Sequence, residues 1–228
     1  MDLHGFGWML GVGLWMTIRV ALASVAVGLV LGLIGAAMKL SGSRAARAVA
    51  GGYTTIIRGV PELLLLLILF FGGTMALQRI FELLGHDEYV EVSAFGAGVA
   101  TLGFVFGAYA TEVFRGAILA VPPGQIDAAR AVGMGRVLRF RRILLPQVWR
   151  YALPGLGNLW MVLLKDTALI SVVGLDEIMR KASIAAGATR EPFTFYAAAA
   201  LIFLGLTVVS MAALQYSENR AGRGFGKL

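Results

Sequence analysis

Most side chains able to do chemistry in this sequence sit inside long apolar runs. Glu112 and Arg115 stand three residues apart in one run, Lys165 and Asp166 are adjacent in another with Thr167 and Ser171 following, and Arg19 lies in a third. Charges surrounded by hydrocarbon are costly and face a bundle interior or a wet cavity, so each of these is a candidate for lining a route or locking helices together. Recognition of a polar solute suits such groups better than bond breaking. The chain has no cysteine and only two histidines, which excludes disulfides and thiolate sites and leaves no recognisable metal set. None of Lys39, Lys165, Lys181 and Lys227 is followed by Ser or Thr, so a phosphate-cradling Gly-x-x-x-x-Gly-Lys-Ser/Thr loop is missing. Nucleotide hydrolysis would have to come from another chain.

The elements that position these groups follow from composition. Hydrophobic residues make up 58% of the 228 residues and charged residues 14%, with a mean hydropathy of +0.80. Water is therefore not the chain's main solvent, and the long apolar runs make it an all-α membrane protein. A net charge of +7 raises nucleic acid as a partner, but the basic residues are spread between apolar runs rather than gathered on one face, which argues against it. About 20 apolar residues cross the hydrocarbon layer as a helix. That yardstick predicts five spans over about 8–38, 61–84, 94–121, 154–173 and 193–216, in one domain covering 1–228. Asp2 and His4 open the chain where a secretion signal would carry basic residues, so the first span is expected to be retained. Trp8, Tyr53, Trp149, Tyr151 and Tyr216 fall near span ends, where amphipathic rings sit at headgroup level.

The loops give the orientation. Fourteen Lys and Arg fall in one set: Lys39, Arg44, Arg47 and Arg58, then seven from Arg115 to Arg150, then Arg220, Arg223 and Lys227. The other set holds only Arg180, Lys181 and Arg190, among Asp87, Glu88, Glu91, Asp176, Glu177 and Glu191. Positive loops stay cytoplasmic, which predicts an N-terminus outside and a C-terminus inside. Gly28 and Gly32, and Gly103 and Gly107, have the four-residue spacing that lets helices approach closely, within one bundle in preference to a dimer contact. Glu112 and Arg115 share a helix face near the inner end of the third span, where a structural pair outranks substrate contact. Lys165 lies about 20 Å along the fourth helix from Arg150, and there pathway lining and structural pairing weigh equally.

The connection at 122–150 is far longer than two neighbouring helices need. Gly133 and Gly135 divide it into two short helices, and Ile126, Ala129 and Val132 or Gly133 recur on one side of the first, opposite Asp127 and Arg130. So short a helix needs something to dock on. From the residues alone that is either a bilayer surface, with arginines at anionic headgroups, or a protein partner.

Asp127-Ala128-Ala129, Gly133 four residues on, and Ile143-x-Leu145-Pro146 resemble the E-A-A-x-x-x-G … I-x-L-P loop of membrane subunits of bacterial ATP-binding-cassette (ABC) importers. Asp127 departs from the usual Glu, keeping the charge on a shorter side chain. Arg58-Gly59-Val60-Pro61, Gly107-Ala108-Tyr109 with Glu112 and Arg115-Gly116, and Lys165-Asp166-Thr167-Ala168-Leu169 are similar to the polar amino acid branch, nearest the Q-type subunits of histidine and lysine/arginine/ornithine importers.

The resemblance implies a type I ABC importer permease fold in the bacterial inner membrane. It also implies a coupling helix, in which Asp127, Ala128, Ala129 and Gly133 meet a cytoplasmic ATPase dimer that binds ATP-Mg; this chain itself binds no cofactor. Further implied partners are a periplasmic substrate-binding protein and a second permease subunit, a related chain in preference to a second copy of this one. The expected cargo is a polar, basic amino acid or an opine. Glu112, Arg115, Lys165, Asp166, Thr167 and Ser171 are the candidates for its route or gate. The rivals are an ion-gradient-driven transporter or channel, for which no inverted repeat is visible, and a membrane scaffold or insertase.

Overall fold

The computed structural model describes residues 3–84 and 92–222. Asp2, Asp87, Glu88, Glu91, Arg223 and Lys227, used above for topology, lie outside them. The described residues form helices α1 (Gly7–Leu40), α2 (Arg44–Gly59), α3 (Glu62–Leu83), α4 (Ala94–Leu119), α5 (Pro123–Ala131), the helical run α6 (Arg136–Val173), α7 (Ile178–Thr189) and α8 (Pro192–Ala221). Five of these, α1, α3, α4, α6 and α8, are long and apolar enough to cross a membrane, matching the five predicted spans.

Local signals set several boundaries. The Ser43 hydroxyl accepts from Ala46 N to cap α2, and Ser93 does the same from Gly96 N for α4. Val60 and Pro61 hold extended backbone between α2 and α3, as expected where proline ends one helix and opens another. The fourth span departs from expectation, because its helix begins at Arg136 and not near Pro154. Pro154 sits in the helix interior, where a membrane bundle can re-satisfy the freed carbonyl. Pro146 is accommodated by a wider π-turn over Phe140–Leu144, and Gln147 Nε2 donates to the Ile143 carbonyl at 2.9 Å. A 3₁₀ stretch, Thr167–Val173, ends the run at Gly174, whose φ is +89°. Three helices lie outside the predicted spans: α5 is the short helix expected before Gly133, whereas α2 and α7 replace stretches that the sequence suggests only as connections.

Packing centres on α1 against α4. A Cβ on Gly28 would meet the Phe106 ring at 2.6 Å, and one on Gly107 would meet both Leu31 Cβ and the Tyr53 hydroxyl at 2.7 Å. Gly32 and Gly103 are equally close to Ala110 and Val27. The four glycines therefore serve packing within this chain, and any side chain there costs about 1–3 kcal/mol through overpacking. Pro154 is followed by Gly155 against Val113, which brings α6 onto the same core.

A second apolar cluster joins Leu10 of α1, Ile178, Ala182, Ala185 and Ala186 of α7, and Phe195 and Ala199 of α8. The Arg19 guanidinium lies 5.7 Å from the Phe95 ring, in the first turn of α4. The part of α1 before Arg19, and the cluster built on it, thus extend past the level at which α4 begins.

Candidate functional site

The middle of α4 faces α6 and the start of α3 across a cavity of about 270 Å³. Leu102, Val105 and Phe106 of α4, with Leu159, Val162 and Leu163 of α6, form its apolar wall. Four polar residues face into it: Glu62, Tyr109, Asn158 and Asp166. No basic residue lines it, so its formal charge is negative. On α6, Asn158, Val162 and Asp166 recur every four residues, which puts them on one side of the helix. Glu62 arrives from α3, placed by the Val60-Pro61 break.

Below this cavity lies a second one of about 490 Å³, lined by Lys39, Thr54, Thr55, Arg58, Gly59, Tyr109 and Glu112. Its charges form a lock. Glu112 accepts from Lys39 Nζ on one oxygen and from Arg115 Nε at 2.9 Å on the other, while Lys39 Nζ also donates to Thr54 Oγ1 at 2.7 Å. The Lys39 and Glu112 side chains are only 17% and 24% exposed, so these bonds tie α1, α2 and α4 together with little competition from solvent. The Tyr53 hydroxyl fixes α2 to α4 again, donating to the Phe104 carbonyl at 2.7 Å. Tyr109 lines both cavities and carries the Arg58 guanidinium 4.8 Å from its ring centre, a cation–π contact. Tyr109 thus stands between the two cavities, with Arg58 on the lower side.

The sequence-predicted residues separate in three dimensions. Glu112 and Arg115 are brought together as expected, with Lys39 as the partner the sequence did not give. Asp166 faces the upper cavity, whereas Lys165 is exposed and is not part of its lining. Thr167 is fully buried and donates to the Leu164 carbonyl at 2.7 Å; Ser171 donates to the Ala168 carbonyl at 2.8 Å. Both hydroxyls are therefore turned onto their own helix. The cavity residues missed were Glu62, Asn158 and Tyr109 as a wall. The four-residue recurrence of Asn158 and Asp166 was the available signal.

In α5, Asp127 pairs with Arg130 at 3.2 Å on an exposed face, and Ala128 is exposed beside it. Ala129 is 4% exposed, so its methyl is covered by this chain and the outward surface belongs to Asp127, Ala128 and Val132. Gly133 closes the helix with φ +78°, a left-handed turn that favours glycine. Ile143, Leu145 and Pro146 lie within the first three turns of α6, and Leu145 is 46% exposed.

A profile describing the binding-protein-dependent transport system inner membrane component matches residues 28–223. The chain belongs to this family. The nopaline transport system permease protein NocQ of Agrobacterium fabrum is 51% identical over 221 residues, covering 96% of this chain and 94% of the relative. The octopine permease OccQ of Rhizobium radiobacter is 48% identical over 209 residues, or 92% and 88% of the two chains. The histidine/lysine/arginine/ornithine permease HisQ of Escherichia coli is 44% identical over 222 residues, 97% of each. A crystal structure of an amino acid ABC transporter with histidines aligns with a TM-score of 0.81 at 33% identity, over 96% of this chain and 99% of that one. The protein is thus a membrane-spanning ABC importer permease of the inner membrane. As a permease it is the non-catalytic membrane component.

Proposed function

We propose that this permease carries a cationic amino acid or an opine into the cytoplasm, with the acidic cavity between α3, α4 and α6 as a station on the route. The observation that carries this reading is the lining itself: Glu62 and Asp166 are its only ionisable acids, in a wall otherwise mostly apolar. Two carboxylates in such a wall call for a positive charge, and a guanidinium or ammonium group supplies it. Tyr109 and Asn158 add hydrogen-bonding partners, and Arg58 below offers a partner for a substrate carboxylate. The relatives named for octopine, nopaline and histidine/lysine/arginine/ornithine transport support the same class.

In this reading ATP is bound and hydrolysed by a separate cytoplasmic ATPase pair, which engages α5 through Asp127, Ala128 and the turn at Gly133. A binding protein delivers substrate on the opposite side, where the N-terminus lies. Closure of the ATPases displaces α5 and the adjoining start of α6, and Arg58 and Tyr109 part when α2 shifts on α4. A second, related permease subunit completes the pathway.

The test is binding-protein-stimulated, ATP-driven uptake in proteoliposomes. Glu62→Gln and Asp166→Asn should each raise KM for a basic amino acid by roughly tenfold, the loss of one charge-assisted contact, with assembly intact. Unchanged KM in both would remove the cavity from the route. Uptake driven by an ion gradient without the ATPase would overturn the importer reading.

A further inference from the structure

A third cavity lies where α1 and α4 meet the beginning of α6. It encloses about 250 Å³, and every side chain lining it is apolar, among them Leu33, Ile118, Phe140, Leu144, Leu145 and Trp149. Its rim is not covered by the chain: Phe140 is 54% exposed and Trp149 50%. The same stretch of α6 carries Arg141 and Arg142, both exposed, immediately after Phe140 and within one turn of Leu144 and Leu145. Among the described residues neither guanidinium has an ion pair or side-chain hydrogen bond. No Asp or Glu occurs between Ala128 and Lys165, so the segment cannot neutralise itself.

We infer that this groove is a binding site for an anionic glycerophospholipid, with one acyl chain between α1, α4 and α6 and the headgroup phosphate on Arg141 and Arg142. Two unmet requirements sit side by side here, exposed apolar surface between membrane spans and unpaired positive charge at its edge. An acidic patch of a soluble partner would answer the second and leave the groove open. An apolar helix of a second subunit would fill the groove and leave the arginines unpaired. A lipid with a negative headgroup meets both at once, because guanidinium pairs well with phosphate and an acyl chain fits an apolar slot. Trp149 fits the same picture, since its ring has an apolar body and one N–H for the interface.

The test uses the assembled importer, exchanged into detergent with an equal mixture of phosphatidylglycerol and phosphatidylcholine of matched chains, with retained lipid counted by native mass spectrometry. Wild type should retain phosphatidylglycerol roughly ten- to thirtyfold over phosphatidylcholine, the preference two interfacial arginines confer. Arg141→Gln with Arg142→Gln should bring the ratio near one, and Arg44→Gln should leave it unchanged. Equal retention by wild type, or a preference that survives the double substitution, overturns the site. Loss of the ATPase from the double variant with its lipid preference intact assigns the arginines to the ATPase instead. Should the double variant fail to assemble, dibrominated lipids decide on wild type: phosphatidylglycerol must quench tryptophan fluorescence more strongly than phosphatidylcholine, and equal quenching overturns the proposal.

Discussion

Glu112 shows how much one carboxylate can hold. It receives Lys39 from α1 and Arg115 from its own helix, so replacing it strands two cations near the edge of the bundle. Glu112→Gln is expected to lower stability by about 1–3 kcal/mol, the usual cost of losing charge-assisted bonds at a partly buried site. Arg115→Gln should cost less, since that side chain is 40% exposed. Thermal unfolding of the purified permease in detergent reads both, and an unaltered midpoint for Glu112→Gln would contradict the lock. Glu177 behaves differently. It is fully buried ahead of α7, capping Met179 N at 2.9 Å and Arg180 N at 2.7 Å, beside the Asp176–Lys181 pair, whose lysine side chain is only 15% exposed. Burial pushes its carboxyl up to about 7 from 4.5, outweighing the two N–H groups that pull it down. The folded chain thus holds this proton more tightly than the unfolded one. The stability it contributes is complete below about pH 4.5 and is lost as pH rises through about 7. Wild-type melting temperature should fall between those values and the Glu177→Gln variant should stay flat; a wild-type midpoint that climbs across the same window would count against it.

At the level of elements, α5 is the piece whose role rests on exposure. Gly133 is a poor place to probe docking, because its φ of +78° makes any side chain strained whatever it touches. Ala128 is exposed on the same helix in ordinary helical conformation, so Ala128→Trp should leave insertion and fold intact while uncoupling ATP turnover from uptake by tenfold or more. Uptake equal to wild type would remove α5 from the force path. Much of this architecture was legible in the sequence, because five apolar runs of the right length leave a helix no alternative in hydrocarbon. Glu112 with Arg115 was legible too, being three residues apart on one helix. What escaped was short or non-local. The helices α2 and α7 are too brief and mixed in character to stand out from loops. The span expected over 154–173 belongs to a longer helical run from Arg136, with Pro154 in its interior. Lys39, Glu62 and Tyr109 meet their partners only through the tertiary fold, as Lys39 does Glu112 at a separation of 73.

Over the whole molecule, the spans are covered very unequally. In α4, 61% of the most apolar window is buried within the chain; in α3 only 6% is. A span that borders the acidic cavity through Glu62 and is otherwise bare on nearly all sides is the natural contact for a second permease subunit. The absence of native cysteine makes this directly measurable. Ala76→Cys, in the exposed middle of α3, should cross-link under oxidation to a single cysteine on the partner permease. A cross-link formed between two copies of this chain would mean a homodimer in place of the related pair proposed above, and none with either would place α3 against lipid.

The apolar cluster around Leu10, Ile178 and Phe195 stands past the level where α4 starts, and Leu206 of α8 packs against both it and the larger core. Leu10, Phe195 and Ala199 belong to membrane spans, so this cluster cannot draw its cohesion from water alone and shares with the larger core a dependence on shape-matched contact. Harsh detergents that compete for such contacts should therefore loosen both together, with Leu206 as the hinge between them.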